Sequence, residues 1–189
     1  MKSYLKYDGL EILAHRGGAI ESLENTIESF EYSISLGCKY IETVQVSSDG
    51  IPYIFHDDDL KRICGIPKKF DSLSSQEIDK INIFDVHKIP KLIDVLDVFP
   101  DTNFQIDFKT DEVVQPALDA IKKSKAFERV CVASFNSKRL KGVRKNYPDI
   151  CISMGPKEVY KTLAASFNLY KNNIPCLLYT SDAADEFMG

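Results

Sequence analysis

The 189-residue chain has no apolar run near the roughly 18 residues that a membrane-crossing helix requires. Its first residues, MKSYLKYDGLEILAHRGG, lack the hydrophobic stretch of a secretory signal. It has no excess of positive charge. Its 24 Lys and Arg against 28 Asp and Glu give a formal net charge of −4, which offers no footprint for nucleic acid or an anionic membrane. No CxxC and no metal-ligand spacing occurs among Cys38, Cys64, Cys131, Cys151 and Cys176. An odd cysteine count without a signal segment reads as reduced thiols, used as small core residues. Neither GxGxxG nor GxxxxGK(S/T) follows the first apolar run, which argues against a nucleotide-binding sheet. No linker, repeat or low-complexity segment divides the chain. The expectation is one soluble cytoplasmic domain with no nucleic-acid partner and no integral membrane segment; its oligomeric state is left open.

At 44% hydrophobic and 28% charged, the sequence can bury a sizeable core. Short β-branched runs alternate with helical patterns. EILAH (11–15) reads as a strand ending at Gly17-Gly18, followed by a helix capped by Asn25 with Ile27, Phe30 and Ile34 on one face and Gly37 at its end. Residues 40–46 form a second strand, and the turn Ser48-Asp49-Gly50 leads into a third, IPYIFH (51–56). Residues 57–74 are irregular, and Ser74 with Glu77 has capping-box spacing. Then come a helix with Leu92, Val95, Leu96 and Phe99, strand 104–109, a helix with Val113, Val114, Ala117, Leu118 and Ile121, strand 129–135, a helix with Leu140 and Val143, strand 150–155, and a last helix from about 157. Six strands interleaved with helices predict a parallel α/β architecture, either an open doubly wound sheet or a (β/α)8 barrel.

Polar residues gather at the carboxyl ends of these strands: His15-Arg16, His56-Asp57, and Asp107 with Lys109, with Glu42 inside the second strand. Loops there converge over a rigid scaffold. Each also has a plain structural reading. A histidine at a strand end is commonly a turn residue, and Asp57-Asp58-Asp59 reads as solvated or capping. Lys109, two residues from Asp107, shares its face of the strand, which permits a purely structural ion pair. His87 is expected at the surface. Glu42 and Asp107 are harder to explain away, because an ionised carboxylate in an apolar strand needs a partner cation or a metal.

AHRGG, SLENT, YIET, SDGIPYIFHD, LKRICG, IPKLIDVL, FQIDFK and VASF occur in that order between Leu13 and Gly155. Together they resemble the glycerophosphodiester phosphodiesterase family. The resemblance implies a (β/α)8 TIM-type barrel that hydrolyses small glycerophosphodiesters to glycerol 3-phosphate and an alcohol. It implies His15 and His56 as a general acid/base pair, Arg16 and Lys109 as phosphate-binding groups, and Glu42 with Asp107 as ligands of a divalent cation, with Asp107 in a place usually held by Glu. Oxygen ligands favour Mg²⁺ or Ca²⁺. The alternatives are a phosphatidylinositol phospholipase C-like or sphingomyelinase D-like enzyme, or a non-catalytic barrel.

The sequence departs from the family pattern twice. Family members usually read IE-x-D in the second strand, whereas this chain reads Ile41-Glu42-Thr43-Val44-Gln45, as though an Asp after Thr43 were absent. With Glu42 facing inward, strict alternation turns Val44 and Val46 inward and Gln45 outward; one more residue after Thr43 reverses that. A local distortion that restores the register, a rebuilt site and a sequence error all fit. In addition, Cys176 to Glu186 (CLLYTSDAADE) reads as one translated frame of a sequencing adapter, so 1–175 is expected to be an incomplete barrel domain and 176–189 a non-native tail. A barrel of this kind needs roughly 250 residues. The expectation is therefore a sheet truncated after about six strands, with open edges that favour aggregation.

Overall fold

The computed structural model describes residues 3–6, 12–18, 23–38 and 40–166. The tail read as non-native lies outside them. The elements run β1 (Leu13–Ala14), α1 (Ile27–Ser35), β2 (Tyr40–Val46), β3 (Pro52–Tyr53), α2 (Lys61–Cys64), α3 (Ser75–Ile78), β4 (Asn82–Ile83), β5 (His87–Lys88), α4 (Leu92–Val98), β6 (Asn103–Phe108), α5 (Val114–Lys123), β7 (Val130–Ala133), α6 (Ser137–Asn146), β8 (Cys151–Ile152) and α7 (Pro156–Ser166). The main sheet is ordered β1-β2-β6-β7-β8, and each neighbouring pair is parallel.

Strand β6 shows how the sheet separates core from site. Phe104, Ile106 and Phe108 pack in the main core with Leu92 and Leu96 of α4 and Leu118 and Ile121 of α5. Alternation then puts Gln105 and Asp107 on the opposite face, where both are nearly fully buried. Strand β7 divides the same way: Val130 and Val132 join the main core, while Cys131 packs with Cys151 and Tyr4.

The run 51–56 is not a further parallel strand. Only Pro52–Tyr53 pairs, and it pairs antiparallel to β2, because the Asp49-Gly50 turn (Gly50 φ 80°) folds the chain straight back. The chain then leaves the main sheet and returns to it only at β6. This excursion has its own core of Tyr53, Phe55, Leu60, Phe70, Ile78 and Ile83, with Phe55 stacked on Phe70 at 4.8 Å between ring centroids. Burying a Phe or Ile side chain contributes about 1.5–3 kcal/mol, so the excursion is a rigid support for the residues at its start, His56 and Asp57.

Local capping differs from the sequence reading at α1. Thr26, not Asn25, is the N-cap: its Oγ1 accepts from Ser29 N, and Ser29 Oγ accepts from Thr26 N. Asn25 instead takes a left-handed conformation (φ 59°). Ser74 and Glu77 form the expected capping box. His87, expected at the surface, is partly buried. It lies in β5 with its side chain only 20% exposed and Nδ1 3.0 Å from Glu28.

The β2–β6 pairing carries one irregularity. Glu42 is opposite Gln105, but Val44 is opposite Phe108, so two steps along β2 match three along β6. Strand β2 is one residue short, and the distortion restores its register. Gln45 is consequently buried and hydrogen-bonded toward the site, while Val46 joins the main core.

Gly17 shows how tightly the β1 turn is built. It has φ 75°, and a Cβ there would lie 2.5 Å from Ser29 Oγ and 2.7 Å from Phe30 Cε1. Gly17→Ala therefore combines backbone strain with overpacking, and is expected to destabilise by about 2–4 kcal/mol. A thermal melt checks this; an unchanged melting temperature contradicts it.

Candidate active site

At the carboxyl end of β1 the chain makes a single turn through His15, Arg16 and Gly17. Arg16 is held in the left-handed region (φ 53°), unusual for a residue with a side chain. Its backbone carbonyl accepts from Asn25 N at 2.9 Å. The turn directs the Arg16 guanidinium to His56, with Nη2 2.9 Å from Nε2. Nη1 meets Glu24 at 3.3 Å.

His56 follows fully buried Phe55. Its Nδ1 lies 2.8 Å from Asp57 Oδ1, and Gln45 Nε2 donates to its backbone carbonyl (3.3 Å) and to Asp58 Oδ1 (3.4 Å). An ionised carboxylate only accepts and a guanidinium only donates. Nδ1 therefore carries the proton and Nε2 presents its lone pair. Burial pushes the His56 pKa below the usual imidazole value, the positive charges of Lys109 and Arg16 push the same way, and the hydrogen bond to Asp57 opposes them. Burial raises the Glu24 and Asp57 pKa values, but hydrogen bonds and charge from the neighbouring cations outweigh it, and both carboxyls titrate below their ordinary range.

Asp107 and Lys109 form the ion pair that their spacing permits, Nζ to Oδ2 at 2.9 Å. Lys109 also lies 5.9 Å from the centroid of Phe135. These side chains open onto a cleft of about 450 Å³ that His56, Asp57, Asp58 and Arg139 also line. Arg139 has a scaffolding role: it donates to the carbonyls of Phe108 (2.6 Å) and Lys109 (3.1 Å) and holds the end of β6.

Of the residues expected from sequence, Arg16, His56, Asp107 and Lys109 have side chains around this region, and His15 heads the turn that carries Arg16. Glu42 is placed by its backbone, beside Gln105 on the neighbouring strand. Among the described residues, no three His, Cys, Asp or Glu side chains cluster as a ready metal site. The Asp run divides in role. Asp59 accepts from Lys61 N as a capping residue does, whereas Asp57 binds His56 and Arg62. Sequence reasoning missed Glu24, Gln45, Asp57 and Arg62 as parts of the site. Glu24 and Arg62 stood in plain view inside SLENT and LKRICG.

Residues 15–186 match the family model described as the glycerophosphoryl diester phosphodiesterase family. The chain belongs to this family. It is similar to a probable glycerophosphodiester phosphodiesterase 2 of Mycobacterium tuberculosis, 32% identical over 72% of this chain and 52% of that one. It is also similar to a glycerophosphodiester phosphodiesterase of Caldanaerobacter subterraneus subsp. tengcongensis, 30% identical over 76% of this chain and 65% of that one. The chain thus spans between half and two thirds of the length of these relatives. In structure it resembles the glycerophosphoryl diester phosphodiesterase domain of a Mycobacterium tuberculosis protein, with a TM-score of 0.77 at 20% identity, covering 86% of this chain and 66% of that one. These neighbours support a TIM-barrel-like α/β fold, of which the described residues show a partial sheet. The family match does not favour the phospholipase C-like, sphingomyelinase D-like or non-catalytic alternatives. No described helix is long and apolar enough to cross a membrane.

Proposed function

We propose that this chain carries the phosphodiesterase site of a glycerophosphodiester hydrolase, which releases glycerol 3-phosphate and an alcohol from a small-molecule substrate. The observation that carries this reading is the Arg16–His56 contact at a cleft that His56 and Lys109 both line: a neutral base within the influence of two cations. Phosphodiester cleavage builds charge on the equatorial oxygens, and Arg16 and Lys109 supply donors for it. His56, with Nε2 unprotonated, takes a proton from the attacking water as its oxygen bonds to phosphorus, and His15, its counterpart by the family resemblance, protonates the alkoxide that leaves. Arg16 must turn from His56 toward the phosphate for this to occur.

The donor set is compatible with a hard cation. Asp107 is a deeply buried carboxylate whose strand partner region includes Glu42, and oxygen ligands of this kind suit Mg²⁺ or Ca²⁺. Glu42 and Asp107 would hold it. Such an ion, when bound, supplies further charge neutralisation at the phosphate.

Hydrolysis of glycerophosphocholine with and without EDTA tests the reading. The expected result is EDTA-sensitive release of glycerol 3-phosphate; release of a cyclic phosphate, or no turnover with Mg²⁺ or Ca²⁺ present, contradicts it. The pH profile adds a second check. Because the His56 pKa is lowered from 6.5, the base stays neutral through pH 7 and is lost only on protonation at lower pH. The acid limb of kcat/KM, which reports the free enzyme, is expected below pH 6.5. A limb at or above that value contradicts the assignment of His56 as the base.

A further inference from the structure

Both ring nitrogens of His56 belong to one closed circuit of side chains. Nδ1 faces Asp57 Oδ1 at 2.8 Å. Arg62 donates to the same carboxylate, from Nε to Oδ2 at 2.6 Å and from Nη2 to Oδ1 at 3.1 Å. Its guanidinium then reaches Glu24, from Nη2 to Oε1 at 2.5 Å and from Nη1 to Oε2 at 3.3 Å. Glu24 accepts from Arg16 Nη1, and Arg16 Nη2 returns to His56 Nε2 at 2.9 Å. Of these five side chains, the reaction as described uses only Arg16 and His56. Glu24, Arg62 and Asp57 touch no reacting atom, yet they connect those two groups across 46 residues of sequence, from Arg16 to Arg62.

Two carboxylates and two guanidiniums alternate around the circuit, so its formal charges cancel and no ion in it stands alone. A planar guanidinium with five donors in a fixed fork is the side chain suited to hold two carboxylates at once. The two ends of the circuit also impose the same proton arrangement on the imidazole, a donor at Nδ1 and an acceptor at Nε2. Building on the phosphodiesterase reading, we propose that Arg62 is a positioning residue that bridges Glu24 and Asp57, and so fixes the His56 tautomer and the resting orientation of Arg16, before phosphate binds, together.

Arg62 is half exposed on the short helix α2, whose packing is made by Ile63 and Leu60. Its truncation is therefore expected to leave the fold intact. The test uses Arg62→Gln and Arg62→Lys in the full chain and reads the imidazole ¹⁵N chemical shifts of His56, assigned by their loss in His56→Asn. Hydrolysis of glycerophosphocholine is measured alongside. The unaltered chain is expected to show the Nδ1–H pattern. Arg62→Gln is expected to show a tautomer mixture and a kcat lower by about tenfold to a hundredfold, falling more than KM rises. Arg62→Lys keeps the charge but not the fork, and is expected to behave like the Gln variant. Should Arg62→Gln not fold, Asp57→Asn removes the carboxylate at the other end of the same bridge and carries the same expectation for the tautomer.

An unshifted His56 spectrum in Arg62→Gln, or full recovery by Lys, overturns the proposal. The spectrum requires no turnover. A shifted tautomer in a chain that hydrolyses nothing therefore removes the functional reading and leaves the positioning role standing, whereas normal hydrolysis with an unmoved tautomer removes only the positioning role.

Discussion

Replacing His56 with alanine is expected to lower kcat on glycerophosphocholine by about 10²- to 10⁴-fold, the range typical of losing a general acid/base group. The change should fall on kcat rather than KM, because Arg16 and Lys109, which would bind the phosphate, remain. The protein should stay folded. The His56 side chain is 20% exposed and sits at the rim of the cleft, while the packing at that point is made by Phe55 and Ile54. The substitution also releases Arg16 from Nε2 and leaves Asp57 with Arg62, so no buried charge is stranded. Steady-state kinetics with a melting control would check this. Activity within tenfold of the unaltered chain would assign the base elsewhere.

The second large effect concerns strand β2. Its pairing with β6 slips between Glu42 and Val44, at the place where the family resemblance implies an additional Asp. Inserting Asp after Thr43 is expected to give β2 the residue that β6 already has, making the ladder regular while keeping Gln45 and Val46 on the sides they now occupy. It would also add a carboxylate two residues from Glu42, one of the proposed cation ligands. Even outer partners of a metal contribute roughly 10- to 100-fold in affinity, so a restored ligand should tighten Mg²⁺ or Ca²⁺ by at least about 1.4 to 2.8 kcal/mol. Calorimetric titration of both proteins measures the difference. Equal affinities would show that the chain holds its cation without that ligand, or not there at all.

These two expectations depend on features of unequal visibility in the sequence. The parallel sheet was legible because its strands are short, β-branched and separated by amphipathic helices; in β6 the alternation of Phe104, Ile106 and Phe108 with buried Gln105 and Asp107 departs from the continuous apolar run usual for a strand covered on both faces, and that departure marks the site. The third strand was misread because IPYIFH is as apolar as the others. Its antiparallel return was encoded in Asp49-Gly50, a hairpin signal that outweighs composition. Asn25 and Thr26 are both competent caps, and only the tertiary fit of the His15–Gly17 turn, with Arg16 O bonded to Asn25 N, decided between them.

Within the site, Arg16, His56, Asp107 and Lys109 could be named from sequence because each stands at or near a strand end. Their helpers could not. Asp57 looked like one member of a solvated acidic run, and its role depends on Arg62, which reaches it from a short helix in the excursion between β3 and α4. Gln45 was ambiguous for a different reason. Its facing depends on one missing residue, and parity alone gives opposite answers on either side of that gap.

The most direct test of this site is a crystal structure of the full chain with glycerol 3-phosphate and Mg²⁺ or Ca²⁺. The phosphate is expected in the cleft lined by His56, Asp107 and Lys109, within hydrogen-bonding reach of both Arg16 and Lys109 and next to His56 Nε2, with Arg16 drawn off the imidazole. A phosphate bound away from these three residues, or one that leaves the Arg16–His56 contact in place, would contradict it.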